Sequence, residues 1–199
     1  MRNQPAIAAA VELPPGRYPE ASSYELYRRV LLALLDECAI DPSQVDGLLA
    51  PPLGMGTTTP DLFTHEKISE DLGITPRLSV MMNAGGATYG YMVQYAALAI
   101  SAGLAEAVIC VGAGRFEKVS PQSAAQLVRA ACHGDFEYPY GAVIPALYAQ
   151  YASRYMHDTG ATNRDFALVS VASREWAARN PAALTYSKGT ITIDDVLSS

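Results

Sequence analysis

The sequence predicts an α/β fold, and three observations in its first 114 residues support that prediction. A buried strand at 78–82 leads through a glycine-rich turn into a long helix that ends near Ser101. A second apolar strand follows at 105–112, and half of the 199 residues are apolar. Strand, turn, helix and strand in this order form a βαβ unit, whose parallel strands need a right-handed crossover. We therefore expect a layered α/β domain with a sizeable core.

Capping and periodicity predict the elements before this unit. Ser22 and Glu25 have the spacing of a capping box, and apolar residues then recur at helical intervals, which predicts a helix over 23–38. A short strand is predicted at 45–49. Pro60 at a first turn favours a second helix over 60–73.

The chain changes in character after Gly114, where prolines, glycines and tyrosines interrupt it. Helices are predicted over 142–158 and 163–179, with a cap at 162–165, and 191–193 is predicted as a short strand. The first of these helices carries an aromatic stripe at spacings three and four, Tyr148, Tyr151 and Tyr155. A helix-packing face is the favoured interpretation of the stripe, and a ligand platform is the alternative.

Composition excludes several classes of function. The net charge is −6 and the 14 basic residues are scattered, which argues against a nucleic-acid partner. The sequence has no run of about 18 uninterrupted apolar residues, so no membrane span is predicted, and the N-terminus does not resemble a signal peptide. The cysteines lie far apart, so neither a metal site nor a disulfide framework is predicted, and a cytoplasmic location is expected: Cys38, Cys110 and Cys132.

The glycine-rich turn at 83–90 is where chemistry is expected. A turn that opens a helix offers free backbone N–H groups and the positive end of the helix dipole, which suits an oxyanion or a phosphate. The segment 86–90 also fits a nucleophile elbow if threonine replaces serine, although no Asp and His follow in the order of a triad. It matches neither the dinucleotide fingerprint nor the P-loop. The structural alternative is that the glycines only permit close packing of strand and helix.

The other reactive side chains have ordinary structural interpretations. His65, His133 and His157 are predicted on a solvated helix, in a polar loop and near a helix end. Cys110 lies within an apolar strand, where a thiol packs as a small hydrophobic side chain and its pKa rises.

Several blocks of the chain resemble the thiolases, especially the sterol-carrier or lipid-transfer type. They are 34–38 with 42–47, then 99–107 and 111–114, and finally 148–156 and 178–181. The resemblance implies a layered fold with a mixed five-stranded sheet, helices on both faces and a helical loop domain. It divides the chain into an N-terminal core at 1–114, the loop domain at 115–185 and a return to the core sheet at 186–199.

In that family an active cysteine at the strand-to-helix turn accepts the acyl group of an acyl-CoA. The resemblance places Gly86 in that position, or Gly85 if the register slips by one, and glycine offers no nucleophile. It implies instead a cysteine-independent, retro-aldolase-like cleavage or formation of a carbon–carbon bond. The Gly86 N–H would be the oxyanion donor, with Asn83 and Thr88 beside it.

The resemblance also implies partners. The family's C-terminal half, which carries a catalytic histidine, has no counterpart in the sequence, so a fragment or a second polypeptide supplying it is expected. A homodimer through the strand at 78–82 is expected as well. The substrate would be a coenzyme A thioester, without a metal. The alternatives are a non-catalytic module that binds acyl-CoA or lipid, and a structural subunit of a heteromeric thiolase-like complex.

Overall fold

The computed structural model describes residues 4–53, 61, 63–114, 125, 128–129, 132–141 and 143–199. The chain divides into two compact units, one of Met1–Leu13 with Arg17–Ser123 and one of Pro14–Gly16 with Ala124–Ser199. The boundaries expected from the resemblance, at 1–114, 115–185 and 186–199, stay a prediction. No helix among the described residues is long and apolar enough to cross a membrane.

The first unit contains a parallel three-stranded sheet in the order β2-β1-β3. Its strands are β1 (Gly47–Ala50), β2 (Leu78–Met81) and β3 (Val108–Cys110), and its helices are α1 (Ser23–Cys38), α2 (Thr64–Leu72) and α3 (Thr88–Ser101). The βαβ prediction is therefore confirmed, with β2 and β3 on either side of β1. Five strands in a mixed sheet were expected, whereas the described residues form three, all parallel.

Helices cover both faces of this sheet. On one face, Leu48 and Ile109 pack with α1 and α2 through residues such as Tyr27, Leu31 and Ile68. On the other face, Leu49 packs against Met92 and Ala96 of α3. Because side chains alternate along a strand, the run Leu48, Leu49 in β1 supplies both layers, which is why this strand is apolar throughout.

Local signals explain where the helices begin and end. The Ser22 side chain accepts a hydrogen bond from the Glu25 amide at 3.1 Å, which caps α1 as predicted. The Glu25 carboxylate pairs with Arg29 at 3.3 Å. Helix α2 ends at Gly73, whose φ of 64° suits glycine. The predicted start of this helix at Pro60 lies outside the described residues.

Hydrogen bonds to the Asp46 carboxylate connect the segments that lead into all three strands. It lies just before β1 and accepts hydrogen bonds from Arg77 at 2.7 Å, just before β2, and from the amides of Glu106 and Ala107 at 2.9 Å, just before β3. Burial acts to raise the pKa of Asp46, but these hydrogen bonds together hold it below its usual value. The amino ends of the strands are thereby fixed, and the turn at 83–90 follows the opposite, carboxyl end of β2.

The second unit is helical in its described part. It contains α4 (Ile144–Thr159), α5 (Asn163–Ala177) and α6 (Ile193–Leu197). The first two confirm the predicted helices, and Thr162 with Asp165 forms the predicted cap of α5. The strand predicted at 191–193 is wrong. Thr192 and Asp195 form a capping box that starts α6, so local capping outweighs the β-branched residues of this segment.

Candidate functional site

The candidate site is the turn between β2 and α3, built on the carboxyl end of a parallel strand. Such ends are where ligands bind in open α/β sheets. Four backbone amides of the turn donate hydrogen bonds to acceptors within the same turn. They are those of Ala84 and Gly85, which donate to Thr88 Oγ1 at 2.8 Å and Asn83 Oδ1 at 3.2 Å, and those of Ala87 and Thr88, which each donate to a turn carbonyl at 3.2 Å.

The amide of Gly86 is the exception within this turn. Gly86 forms an isolated parallel bridge with Ala84, but in the part of the chain that the structure describes its amide makes no hydrogen bond of normal geometry, and the residue is exposed. It precedes α3 by two residues, where the helix dipole places partial positive charge. The turn therefore presents one unused N–H donor to solvent, in an electrostatic setting that favours an anionic oxygen.

The backbone distinguishes Gly86 from Gly85. Gly85 has a φ of 57°, a left-handed conformation that side chains disfavour. Gly86 has no such constraint, and a Cβ built on it meets no atom of the described residues within 4 Å. A residue with a side chain therefore fits at 86 more easily than at 85.

Thr88 and Asn83 hold the shape of the turn. Thr88 is 4% exposed, and its hydroxyl accepts from the Ala84 amide and donates to the Gly85 carbonyl at 2.7 Å. Asn83 is exposed and caps the Gly85 amide. All three predicted site residues thus lie in one turn. The hydroxyl of Thr88 points into the turn, which the sequence pattern did not reveal.

The structure shows two tyrosines beside the carboxyl end of β3 that sequence reasoning missed. Tyr89, in the first turn of α3, lies against the backbone at Gly112, just beyond β3. Tyr27 of α1 is fully buried, and its hydroxyl donates to the carbonyl of Val111. Burial raises the pKa of Tyr27, and the nearby Tyr89 raises it further.

The remaining reactive groups do not form a cluster. Burial raises the pKa of the Cys110 thiol to about 11, and the side chain packs beneath α3, in agreement with its predicted structural role. His157 pairs with Asp158 on α4, and His133 contacts Phe136. The Nδ1 atom of His65 is buried without a hydrogen-bond partner among the described residues. Within those residues no group of three His, Cys, Asp or Glu side chains is arranged to hold a metal.

Comparison with known proteins defines the class of the fold. No family model matches the chain. A solved structure, an Ltp2-ChsH2(DUF35) aldolase, matches with a TM-score of 0.67 and 31% identity over 91% of this chain and 45% of that one. The benzoylsuccinyl-CoA thiolase subunit BbsB of Thauera aromatica is 32% identical over 73% of this chain and 37% of its own length. These similarities support membership of the thiolase-like superfamily.

Two curated relatives are steroid-cleaving enzymes. The chain is 35% identical over 182 residues to a 17-hydroxy-3-oxo-4-pregnene-20-carboxyl-CoA lyase of Mycobacterium tuberculosis, covering 87% of this chain and 45% of the relative. It is 34% identical to a steroid side-chain-cleaving aldolase of Thermomonospora curvata, covering 87% and 44%. The chain thus spans less than half the length of the curated relatives that it matches.

Proposed function

We propose that this protein acts on an acyl-CoA thioester and cleaves or forms a carbon–carbon bond by a retro-aldol or aldol step, without a cysteine nucleophile. The observation that carries the proposal is the Gly86 amide just before α3, which makes no hydrogen bond of normal geometry within the described residues and is exposed. The names of the relatives, a CoA lyase and a side-chain-cleaving aldolase, support the same reaction class. They do not favour the two non-catalytic alternatives.

The reaction needs an oxyanion donor but no covalent intermediate. In the cleavage direction, a base removes the proton of the β-hydroxyl, the Cα–Cβ bond breaks, and a carbonyl product leaves. The electron pair passes to the thioester as an enolate, and an acid then protonates Cα. The enolate oxygen would accept the hydrogen bond from Gly86, and one such donor typically contributes about 2.7–4 kcal/mol to transition-state stabilisation.

The base must come from outside the turn. Residues 83–90 contain no carboxylate, imidazole, amine or thiol side chain, and the phenol of Tyr89 is their one weak acid. We therefore propose that a polypeptide segment other than this turn supplies the acid and base. A partner subunit is one source, and the solved relative carries a DUF35 partner in its name.

Two described surfaces support assembly. Strand β2 lies at the edge of the described sheet, where an unpaired strand is open to pairing with a second copy. Helix α3 carries no charged residue, yet Val93, Tyr95 and Leu98 are 45%, 38% and 62% exposed. A helix apolar on all sides is normally covered. We propose that a homodimer through β2, a partner subunit, or both cover these surfaces.

The test is turnover by the protein purified with any polypeptide that accompanies it. A β-hydroxyacyl-CoA is supplied, and the shortened acyl-CoA is measured by mass spectrometry. Gly86→Pro deletes the N–H donor and should lower kcat by about 10²–10³-fold. Gly86→Ala keeps the donor and should lose far less.

Circular dichroism must show that both variants are folded. Undiminished turnover by a folded Gly86→Pro variant would contradict the assignment of the oxyanion donor. If the wild-type assembly cleaves no β-hydroxyacyl-CoA and condenses no acyl-CoA with a carbonyl compound, the proposed reaction is wrong.

A further inference from the structure

The ring of Tyr89 lies where the Cβ of any larger residue at position 112 would stand, so such a residue would force the ring to move. A Cβ built on Gly112 would lie 2.5 Å from Cε1 of Tyr89 and 2.8 Å from its hydroxyl oxygen, closer than Cβ atoms approach in proteins. Tyr89 is the second residue of α3, and Gly112 follows β3 by two positions. The contact therefore joins the first turn of α3 to the carboxyl end of the sheet.

A third element reaches the same place. Tyr27 crosses from α1 to donate its hydroxyl proton to the Val111 carbonyl, immediately before Gly112. Because Tyr27 is fully buried, the backbone on which Tyr89 rests is itself held rigidly. Tyr89 thus packs on a fixed surface, although 56% of its own area is exposed to solvent.

Apart from Tyr89, the start of α3 is held by Thr88 and by Met92, which is fully buried against Leu49 of β1. Its N-cap residue, Ala87, provides no side-chain hydrogen bond, and the first turn contains no acidic residue. The hydrogen bonds of Thr88 fix the shape of the turn, but both of them stay within it. Thr88 therefore shapes the turn from within, whereas contacts outside the turn, those of Met92 with the core and of Tyr89 with Gly112, bear on where it lies.

We propose that Tyr89 is a positioning residue whose ring, seated on Gly112, sets where the Gly86 amide lies relative to the carboxyl edge of the sheet. This inference rests on the proposed oxyanion role of Gly86. Tyr89 acts here through its ring and not through its hydroxyl. The conservative variant Tyr89→Phe is accordingly expected to retain its function.

A double-mutant cycle tests the proposal in the full protein with any accompanying polypeptide. Tyr89→Ala removes the ring, and Gly112→Ala displaces it. Because a misplacement of about 1 Å costs up to ~10²-fold in rate, each variant should lower kcat by about ten- to a hundredfold. In the Tyr89→Ala background, Gly112→Ala should cost nothing further, because the ring with which the new methyl collides is gone.

Two controls separate positioning from general damage. Gly114→Ala places a methyl in the same segment, where Ser23 Oγ, at 3.8 Å, is the nearest atom among the described residues, and should leave kcat unchanged. Tyr89→Phe should keep kcat near the wild-type value. Additive losses in the cycle, or a Tyr89→Phe variant as impaired as Tyr89→Ala, would overturn the proposal.

Amide hydrogen exchange gives a readout that does not depend on activity. The Ala87 and Thr88 amides should exchange faster in Tyr89→Ala and Gly112→Ala than in the wild type, Tyr89→Phe or Gly114→Ala. Unchanged exchange in Tyr89→Ala would refute the positioning role even if the wild type turned over no acyl-CoA. Faster exchange together with an inactive wild type would instead contradict the proposed function alone.

Discussion

The two units of this chain have similar fractions of apolar residues but differ in how many of those side chains they bury. In the first unit, α1, α2, α3 and the sheet bury two clusters, with Tyr27, Leu48 and Met92 fully enclosed. In the described part of the second unit, Ala167 is the one buried hydrophobic residue, while Tyr151 and Trp176 are 74% and 72% exposed. Helical periodicity therefore predicts a helix in both units, but it predicts a core only where a sheet supplies the opposite layer.

The largest expected effect contrasts leucines of the two units. Leu48→Ala empties a fully buried position in β1 and should lower the free energy of unfolding by about 2–5 kcal/mol. Leu184→Ala makes the same chemical change at a residue that is 67% exposed, and should stay within about 0.5 kcal/mol. Urea denaturation measures both. Equal losses would mean that the second unit buries Leu184 in the assembled protein.

Periodicity and capping predicted what is local. Helix α1 and the cap of α5 each depend on residues within one or two turns of each other. The βαβ unit was predicted from three consecutive segments, each with a pattern of its own. The strand expected at 191–193 failed because β-branched residues indicate a strand only when a neighbouring strand is available to pair with them. The five-stranded sheet was expected from a resemblance to a family. The periodicity of this sequence does not by itself predict how many strands the sheet contains.

The site shows the same division between local and long-range information. The glycine turn and its three candidate residues were visible in the sequence because they are adjacent. The unused amide of Gly86 was not, since it depends on which acceptors Thr88 and Asn83 provide. The contact of Tyr89 with Gly112 joins residues 23 positions apart across a crossover, which sequence patterns do not reveal.

A second comparison uses glycines. Gly47 faces Val108 across the pair of β1 and β3, and an added Cβ would lie 2.7 Å from Cγ2 of that valine. Gly47→Ala should therefore destabilise the protein by about 1–3 kcal/mol through overpacking. The methyl of Gly134→Ala in the second unit meets no described atom within 4 Å, so this variant should be neutral or slightly stabilising. The denaturation midpoints of the two variants test this, and a destabilised Gly134→Ala would contradict it.

The smallest expected effect compares two carboxylates that both have lowered pKa values. Asp46 accepts hydrogen bonds from two other segments of the first unit, at Arg77 and at Glu106 with Ala107, whereas Asp165 caps only its own helix through Thr162. Asp46→Asn keeps one acceptor oxygen but loses the charge that pairs with Arg77, and should cost about 1 kcal/mol at neutral pH. Asp165→Asn should shift the unfolding midpoint less.

The pH dependence gives this comparison its sign. Since the pKa of Asp46 is lower in the folded state than in the unfolded chain, ionised Asp46 contributes its full stability above the unfolded value of about 3.9. That contribution is lost as the pH falls from there through the folded pKa. Stability measured by denaturant titration below about pH 4 should therefore fall more steeply for the wild type than for Asp46→Asn. Parallel curves would show that the hydrogen bonds of residue 46 at the amino ends of the strands stabilise the fold equally well without its charge.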